Sequence, residues 1–384
     1  MKKVVRFLNS DIIFSVLSRV PVKTLLCLKC ICKEWHRIIS SHSFSIAHVK
    51  EMETVFSGFI LQEKFLLCND DIKTISYIPV ETGRARVQQT VFNFLPEDVV
   101  VLASCRGLVC CRSCLPSPDP VVYVCNPLNK HWIRLKLVNC DKNENIGLAF
   151  DPSKNPIDTS VKFDLVRVKQ VENDEEDLYA TFELYSSETR AWRKSTETCQ
   201  CNVNLIKNKG VYIGGVLHWL TDGDEVLTFD VEKELSWLVS VPVPKTEFRS
   251  IPGACIGESE GRLHYVMISE DGVDIWFLED YFEFKWTLKY CKTLEEIEKE
   301  YSQFFVNLRY RVSQRVCMDS NPWMDPLGYK DGILFMKVCG SLFLHDIENN
   351  KMSQACTLED LNSVSVLHPT VLPYSMSLVP LNGS

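Results

Sequence analysis

The hydrophobic pattern of this 384-residue chain changes period near residue 55. Before that point apolar residues recur at helical spacing. Beyond it they come in short runs broken by turn residues. Ile12, Ile13, Val16, Leu17 and Val20 follow Ser10 and Asp11, either of which suits a helix N-cap. Pro21 stops that helix or turns it sharply. Thr24 to Cys30 resumes the pattern, and Trp35, Ile38 and Ile39 form a further stripe. Residues 8 to about 48 are therefore expected to form three short helices. Helices of that size bury little by themselves, so the unit needs a partner or the rest of the chain to pack on.

The β-type runs include VFSGFIL, VVYVC, VKFDLVRV, VLTFDV and GILFMKV. A degenerate repeat emerges when glycine-led strands are set beside later aromatic turns. Gly107 precedes Trp132 by 25 residues, Gly215 precedes Trp237 by 22, Gly261 precedes Trp286 by 25, and Gly332 precedes Met352 by 20. The turn before Trp192 has the same form. Each unit reads as a glycine-led inner strand, a strand ending near Asp or Asn, a polar turn, and a strand starting at a large apolar residue. This predicts the four-stranded blades of a β-propeller, with tryptophans filling the space between blades and glycines allowing close approach near a crowded axis. An ordinary β-sandwich with chance spacing is the plainer alternative. Five units are clear. Pairing of residues 55–62 with 374–380 would close the ring.

Two segments interrupt the repeat. VENDEED, 171–177, is expected to be a solvated loop. TLEEIEKEYSQFF, 293–305, carries Leu294, Ile297, Tyr301 and Phe304 on one face, and Thr293 with Glu296 forms a capping-box pattern. It predicts a helix packed on the side of the propeller.

Composition narrows the function. The chain is 46% apolar and 24% charged, which calls for a packed core rather than disorder. Its net charge of -8 argues against a general nucleic-acid binder, which needs basic surface to neutralise phosphates. Lys2, Lys3 and Arg6 give a basic start, but Asn9, Ser10 and Asp11 break the apolar run that a signal peptide requires. No apolar run is long enough to cross a bilayer. The 17 cysteines are an odd number and too dilute for a disulfide scaffold, so reduced thiols acting mostly as small buried hydrophobes are expected.

The chemical motifs are weak. Cys27, Cys30, Cys32 and His36 offer four ligands, but they lie along helices among apolar neighbours and lack the paired spacing of a zinc knuckle. Cys111 and Cys114 form a second C-x-x-C in a strand-to-turn setting, where a structural thiol is expected. GESEG, 257–261, matches a nucleophile elbow around Ser259, but a strand follows it where the elbow needs a helix. The eight histidines are scattered singly. His218 and His264 fall in predicted strands and read as core or inter-blade residues. No metal site, no cofactor and no catalytic group is expected.

LSRVPVKTLLCLKCICKEWHRIISSHSF, 17–44, closely resembles an F-box as found in plant F-box proteins. The matching positions are Val20-Pro21-Val22-Lys23-Thr24-Leu25-Leu26, then Cys30-Ile31-Cys32-Lys33-Glu34-Trp35, then Ile38-Ile39. It departs at the start, where the usual Leu-Pro-x-Asp/Glu is Leu8-Asn9-Ser10-Asp11. The remainder resembles the plant F-box-associated, kelch-like domain, through Ser104-Cys105-Arg106-Gly107-Leu108-Val109-Cys110, Asn126-Pro127 with Trp132, Gly147 with Phe150-Asp151-Pro152, and Gly210-Val211, Gly215 and Trp219 followed by Phe229-Asp230.

The resemblance implies an α-helical F-box at 5–50 followed by an all-β, kelch-like β-propeller at 51–384. It implies a non-catalytic substrate receptor of an SCF-type ubiquitin ligase, located in the cytoplasm or nucleus. The F-box docks on a Skp-type adaptor, and through it on a cullin and a RING protein. The propeller recruits a protein substrate that the sequence does not identify. Neither nucleic acid nor membrane is implied. Ile12, Ile13, Val16, Leu17, Val20, Pro21, Val22, Leu25, Leu26, Ile31 and Trp35 are the candidates for the docking surface and its supporting core. Two alternatives stand beside this reading: a propeller hydrolase or oxidase with an ionisable cluster at its axis, and a propeller binder that no longer engages an adaptor.

Overall fold

A computed structural model describes residues 10–51, 55–63, 74–80, 91–136, 145–154, 161–172, 177–205, 210–249, 251–281, 283–313, 323–361 and 369–381. The helical region holds four helices rather than three: α1 Ser10–Leu17, α2 Val22–Leu28, α3 Lys33–Ile39 and α4 His42–Glu51. Pro21 sits as N-cap of α2, where its missing N–H costs nothing. The fourth helix carries no amphipathic stripe because it is enclosed on most sides: Phe44 through Val49 are all buried.

Strand pairs follow. β1 Phe56–Gln62 and β2 Ile75–Pro79 form a sheet with the last strand, and four-stranded antiparallel units come after them. The first is β3 Val99–Cys105, β4 Leu108–Ser113, β5 Val121–Asn126 and β6 His131–Lys136. The second is β7 Asn145–Ala149, β8 Asp164–Glu172, β9 Leu178–Ser186 and β10 Ala191–Gln200. The third is β11 Val211–Ile213, β12 Val216–Leu220, β13 Glu225–Asp230 and β14 Leu235–Ser240. The fourth is β15 Gly253–Ser259, β16 Arg262–Ile268, β17 Gly272–Asp280 and β18 Lys285–Thr293. The fifth is β19 Met324–Lys330, β20 Ile333–Val338, β21 Ser341–Asp346 and β22 Lys351–Thr357. β23 Thr370–Ser375 then pairs antiparallel with β1. The first strand of each four-stranded unit adjoins the first strand of the next, and β23 joins β19 to β3. Six sheet units thus close into a ring, the irregular one made from both ends of the domain. The expected closure is present, with 370–375 as the closing strand rather than 374–380.

The repeat glycines serve turns first, and only some of them the expected close approach. They sit in two-residue turns between the first and second strands, and of the four Gly107 also meets the expected close approach, its added Cβ lying 2.2 Å from Ser377 Cβ. Arg106-Gly107, Gly214-Gly215, Glu260-Gly261 and Asp331-Gly332 all have positive φ at both positions, as type I′ hairpins require. A Cβ on Gly215 or Gly261 would meet nothing within 4 Å. Close approach is made by other glycines as well: an added Cβ on Gly257 would lie 2.0 Å from the Tyr329 carbonyl oxygen, where β15 runs parallel to β19.

The outer turns explain the Asp or Asn that ends the third strand of four of the five four-stranded units, β9 ending instead at Ser186. Asn126 Oδ1 accepts the Leu128 N–H, Asp230 Oδ1 the Glu232 and Lys233 N–H groups, Asp280 Oδ1 that of Glu283, and Asp346 Oδ1 that of Asn349. Trp132, Trp192, Trp237 and Trp286 then ride half-buried on outer strands against clusters shared by two neighbouring units. Trp286 Nε1 donates to the Ser240 carbonyl of the preceding unit at 2.8 Å.

The helix at 294 is present. α5 Leu294–Glu300 starts at a reciprocal Thr293–Glu296 capping box. With α6 Leu308–Val312, it buries Leu294, Ile297, Tyr301, Phe305, Leu308 and Val312 against the last two four-stranded units. Of VENDEED, residues 173–176 lie outside the described residues.

Candidate docking surface of the helical unit

The sequence candidates separate into an inner and an outer set. Ile13, Leu17 and Leu25 are buried and pack with Ile38, Ile39 and Phe44. Val20, Val22 and Trp35 are half-buried against the same cluster. Phe14 meets Phe44 edge to face at 5.2 Å. Leu26 is half-buried, and Pro21 is exposed. Ile12, Val16 and Ile31 point outward, at 50%, 59% and 63% exposure. Three of the ten exposed large apolar side chains among the described residues therefore lie between positions 12 and 31. Exposing that much branched aliphatic surface is unfavourable in water and favours a partner. Leu8 and Asn9 lie outside the described residues.

The helical unit does not complete its own core. Leu378 and Leu128, both from the propeller, close the cluster around Leu17 and Leu25. Ile46 and Val49 of α4 belong to a propeller cluster with Val100, Leu102 and Ile146. His48 Nε2–H donates to the Val20 carbonyl at 2.8 Å, tying α4 to the α1–α2 turn, and burial lowers the pKa of this ring. Asn126 Nδ2 donates to the carbonyls of Ser377 and Val379, fixing the C-terminal segment that carries Leu378. Sequence reasoning missed α4 and these propeller contributions. Phe44, inside the F-box-like stretch, was the one available signal.

Between the helices and the propeller lies a cleft of about 850 Å³, lined by Val22, Val49, Phe56, Ile333, Leu344 and Met376 among others.

The chemical motifs resolve as follows. Cys27, Cys30 and Cys32 are exposed, a departure from the expected buried thiols. Cys27 lies near the end of α2, Cys30 in the turn after it and Cys32 at the N-cap of α3. Cys32 Sγ accepts the Trp35 N–H at the start of α3. Cys111 is buried, and its thiol pKa is pushed well up by burial. Ser259 ends a strand and precedes the Glu260-Gly261 hairpin turn, so no elbow forms. His218 is buried, donates from Nδ1 to the Val211 carbonyl and accepts the Tyr281 hydroxyl at Nε2, and burial takes its pKa down to about 4. His264, also buried, donates to the Arg262 carbonyl. Where inner strands meet, Lys330 pairs with Glu258 and, at 3.2 Å, with Asp331, a salt-bridged seam beside the parallel β15–β19 contact. Among the described residues, no three or more His, Cys, Asp or Glu side chains group as metal ligands, and no helix is long and apolar enough to cross a membrane.

A family model for the F-box domain matches residues 7–46. A second, described as F-box protein At3g26010-like, beta-propeller, matches residues 85–326, more than half of the chain. This chain belongs to the At3g26010-like F-box β-propeller family. Similar proteins include F-box protein At5g49610 of Arabidopsis thaliana, 27% identical over 72% of this chain and 77% of the relative. Putative F-box protein At4g10190 of Arabidopsis thaliana is 23% identical over 90% of this chain and 92% of the relative. Among solved structures, TolB from Acinetobacter baumannii aligns at a TM-score of 0.40 and 10% identity, over 89% of this chain and 73% of TolB. F-box proteins with a β-propeller typically act as SCF substrate receptors, and F-box proteins are generally non-catalytic adaptors. The F-box of this family member implies a Skp-type adaptor as its kind of partner.

Proposed function

We propose that this F-box protein is the substrate-recognition subunit of an SCF-type ubiquitin ligase. Its helices dock on a Skp-type adaptor, which links it to a cullin and a RING protein. The propeller recruits the protein to be ubiquitinated, so the chain needs no cofactor and performs no covalent chemistry. The reading carries an expectation of cytoplasmic or nuclear location. The supporting observation is the outward apolar set of Ile12 and Val16 on α1, whose Ile13 and Leu17 are buried in the helical cluster, and Ile31 in the turn between α2 and α3. Pro21 and the half-buried Leu26 flank that set.

The test is one-to-one co-purification of the full chain with a Skp-type adaptor, with Val16→Asp as control. Val16 is exposed, so its loss of binding reports the interface. Leu17→Asp would confound it, because Leu17 is 2% exposed and belongs to the core. Retention of the adaptor by Val16→Asp together with Ile12→Asp would overturn the assignment of this surface. Failure of the wild type to bind would leave a propeller that works without an adaptor.

A further inference from the structure

Three exposed thiols lie within six residues of one another in the F-box, Cys27, Cys30 and Cys32, and they bracket the most exposed of its isoleucines, Ile31. The turn that holds them is ordered: Cys30 N–H donates to the Cys27 carbonyl at 3.1 Å, Ile31 N–H to that of Leu28 at 3.1 Å, and Trp35 N–H to Cys32 Sγ. Among the described residues, two other thiols, Cys291 and Cys339, are exposed, and most of the rest are withdrawn. Cys105, Cys110, Cys111, Cys125, Cys201, Cys255 and Cys356 are buried. Burial pushes the Cys105 thiol up to about 11 and that of Cys356 to about 12. Exposed Cys291 is raised to about 11 by the Asp274 carboxylate beside it. Three of the five exposed thiols among the described residues therefore lie beside the apolar docking set.

We propose that the Cys27, Cys30 and Cys32 cluster is a thiol-modification site, and that a mixed disulfide formed there with a small anionic disulfide blocks adaptor docking reversibly. This rests on the docking reading given above. In the exchange, a cysteine thiolate attacks one sulfur of the small disulfide. A new S–S bond forms, the old one breaks, and the other half leaves as a thiolate that takes up the proton the cysteine gave. No further oxidant is consumed. The adduct places a bulky charged group beside Ile31, on a surface that must be desolvated to bind.

The probe is glutathione disulfide, applied to the full chain, with peptide mass mapping and adaptor capture as separate readouts. Adducts are expected on Cys27, Cys30 or Cys32 ahead of the buried cysteines. Capture is expected to fall at least about tenfold and to return with dithiothreitol. The triple variant C27S/C30S/C32S keeps a hydroxyl to cap α3 and is expected to capture adaptor in either redox state. Adducts elsewhere, or undiminished capture by the mapped adduct, would overturn the proposal. If the reduced chain captures no adaptor, the docking reading falls and the blocking role with it. The mapped adducts still decide whether the cluster is the modification site. Single exposed Cys339 serves as the internal comparison.

Discussion

The two halves of this molecule solve burial in opposite ways. The propeller buries its apolar surface between its own units: each pair of neighbours shares an apolar cluster, and the inner strands adjoin one another around the ring. The helical unit has one small cluster that the propeller completes through Leu128 and Leu378, while Ile12, Val16 and Ile31 stay in solvent. A region too small to enclose its own apolar surface has two outlets, intramolecular docking and a partner, and this one uses α4 for the first. The F-box is therefore mounted on the propeller by a buried helix, α4, whose Ile46 and Val49 join a propeller cluster.

The contrast yields graded tests. Deleting residues 370–384 removes β23 and opens the ring. Loss of the cooperative thermal transition, followed by circular dichroism, is expected, because both the β1 pairing and the Leu378 contact go together. Leu17→Asp puts a charge into the helical cluster and is expected to cost about 4 kcal/mol or more, above what so small a unit can hold. Helical signal should fall while strand signal persists, and hydrogen exchange should speed up first in residues 10–49. Persistence of full helical signal would show that the propeller contacts alone hold the helices.

A smaller effect is expected at the seam of the propeller. Gly257→Ala forces a Cβ against the Tyr329 carbonyl, and roughly 1–3 kcal/mol of destabilisation should appear in a denaturant titration. Acid should act on the propeller through its buried histidines. His218 is held neutral down to about pH 4, whereas the unfolded chain takes up the proton near 6.5. Its contribution is complete above pH 6.5 and is lost as pH falls toward 4, by roughly 2 kcal/mol between 6.5 and 5. Comparing melting temperatures of the wild type and His218→Phe at pH 7.5 and 5.0 checks this: the variant should lose less on acidification. Val16→Asp closes the series, with stability changed by no more than about 0.5 kcal/mol while adaptor capture disappears.

Much of this was legible in the chain. The switch of period near residue 55, the glycine-to-aromatic repeat and the Thr293–Glu296 box located the helices, the units and α5, because each rests on local rules of periodicity, turn geometry and capping. The role of the repeat glycines was read only in part for the same reason: spacing reveals that a glycine recurs, but φ and the surrounding atoms tell whether it serves a turn, a close approach or, as at Gly107, both. α4 was passed over because a helix buried all round has no polar face to mark it. Among the candidate site residues, periodicity could gather Ile12, Ile13, Val16 and Leu17 into one group but could not divide them. Adjacent apolar residues on a helix lie about 100° apart, and which of them faces inward depends on what else is packed there.

The sequence by itself determined the order of helices before strands, the four-stranded repeat and the F-box motif, all of which depend on residues near one another in the chain. Only the tertiary structure decided which aliphatic side chains remain in solvent, that Leu128 and Leu378 finish the helical core, and that β23 closes the ring on β1. Those outcomes turn on contacts between segments more than about 350 residues apart, as between Leu17 and Leu378, and burial is a property of the whole packed chain rather than of any stretch of it.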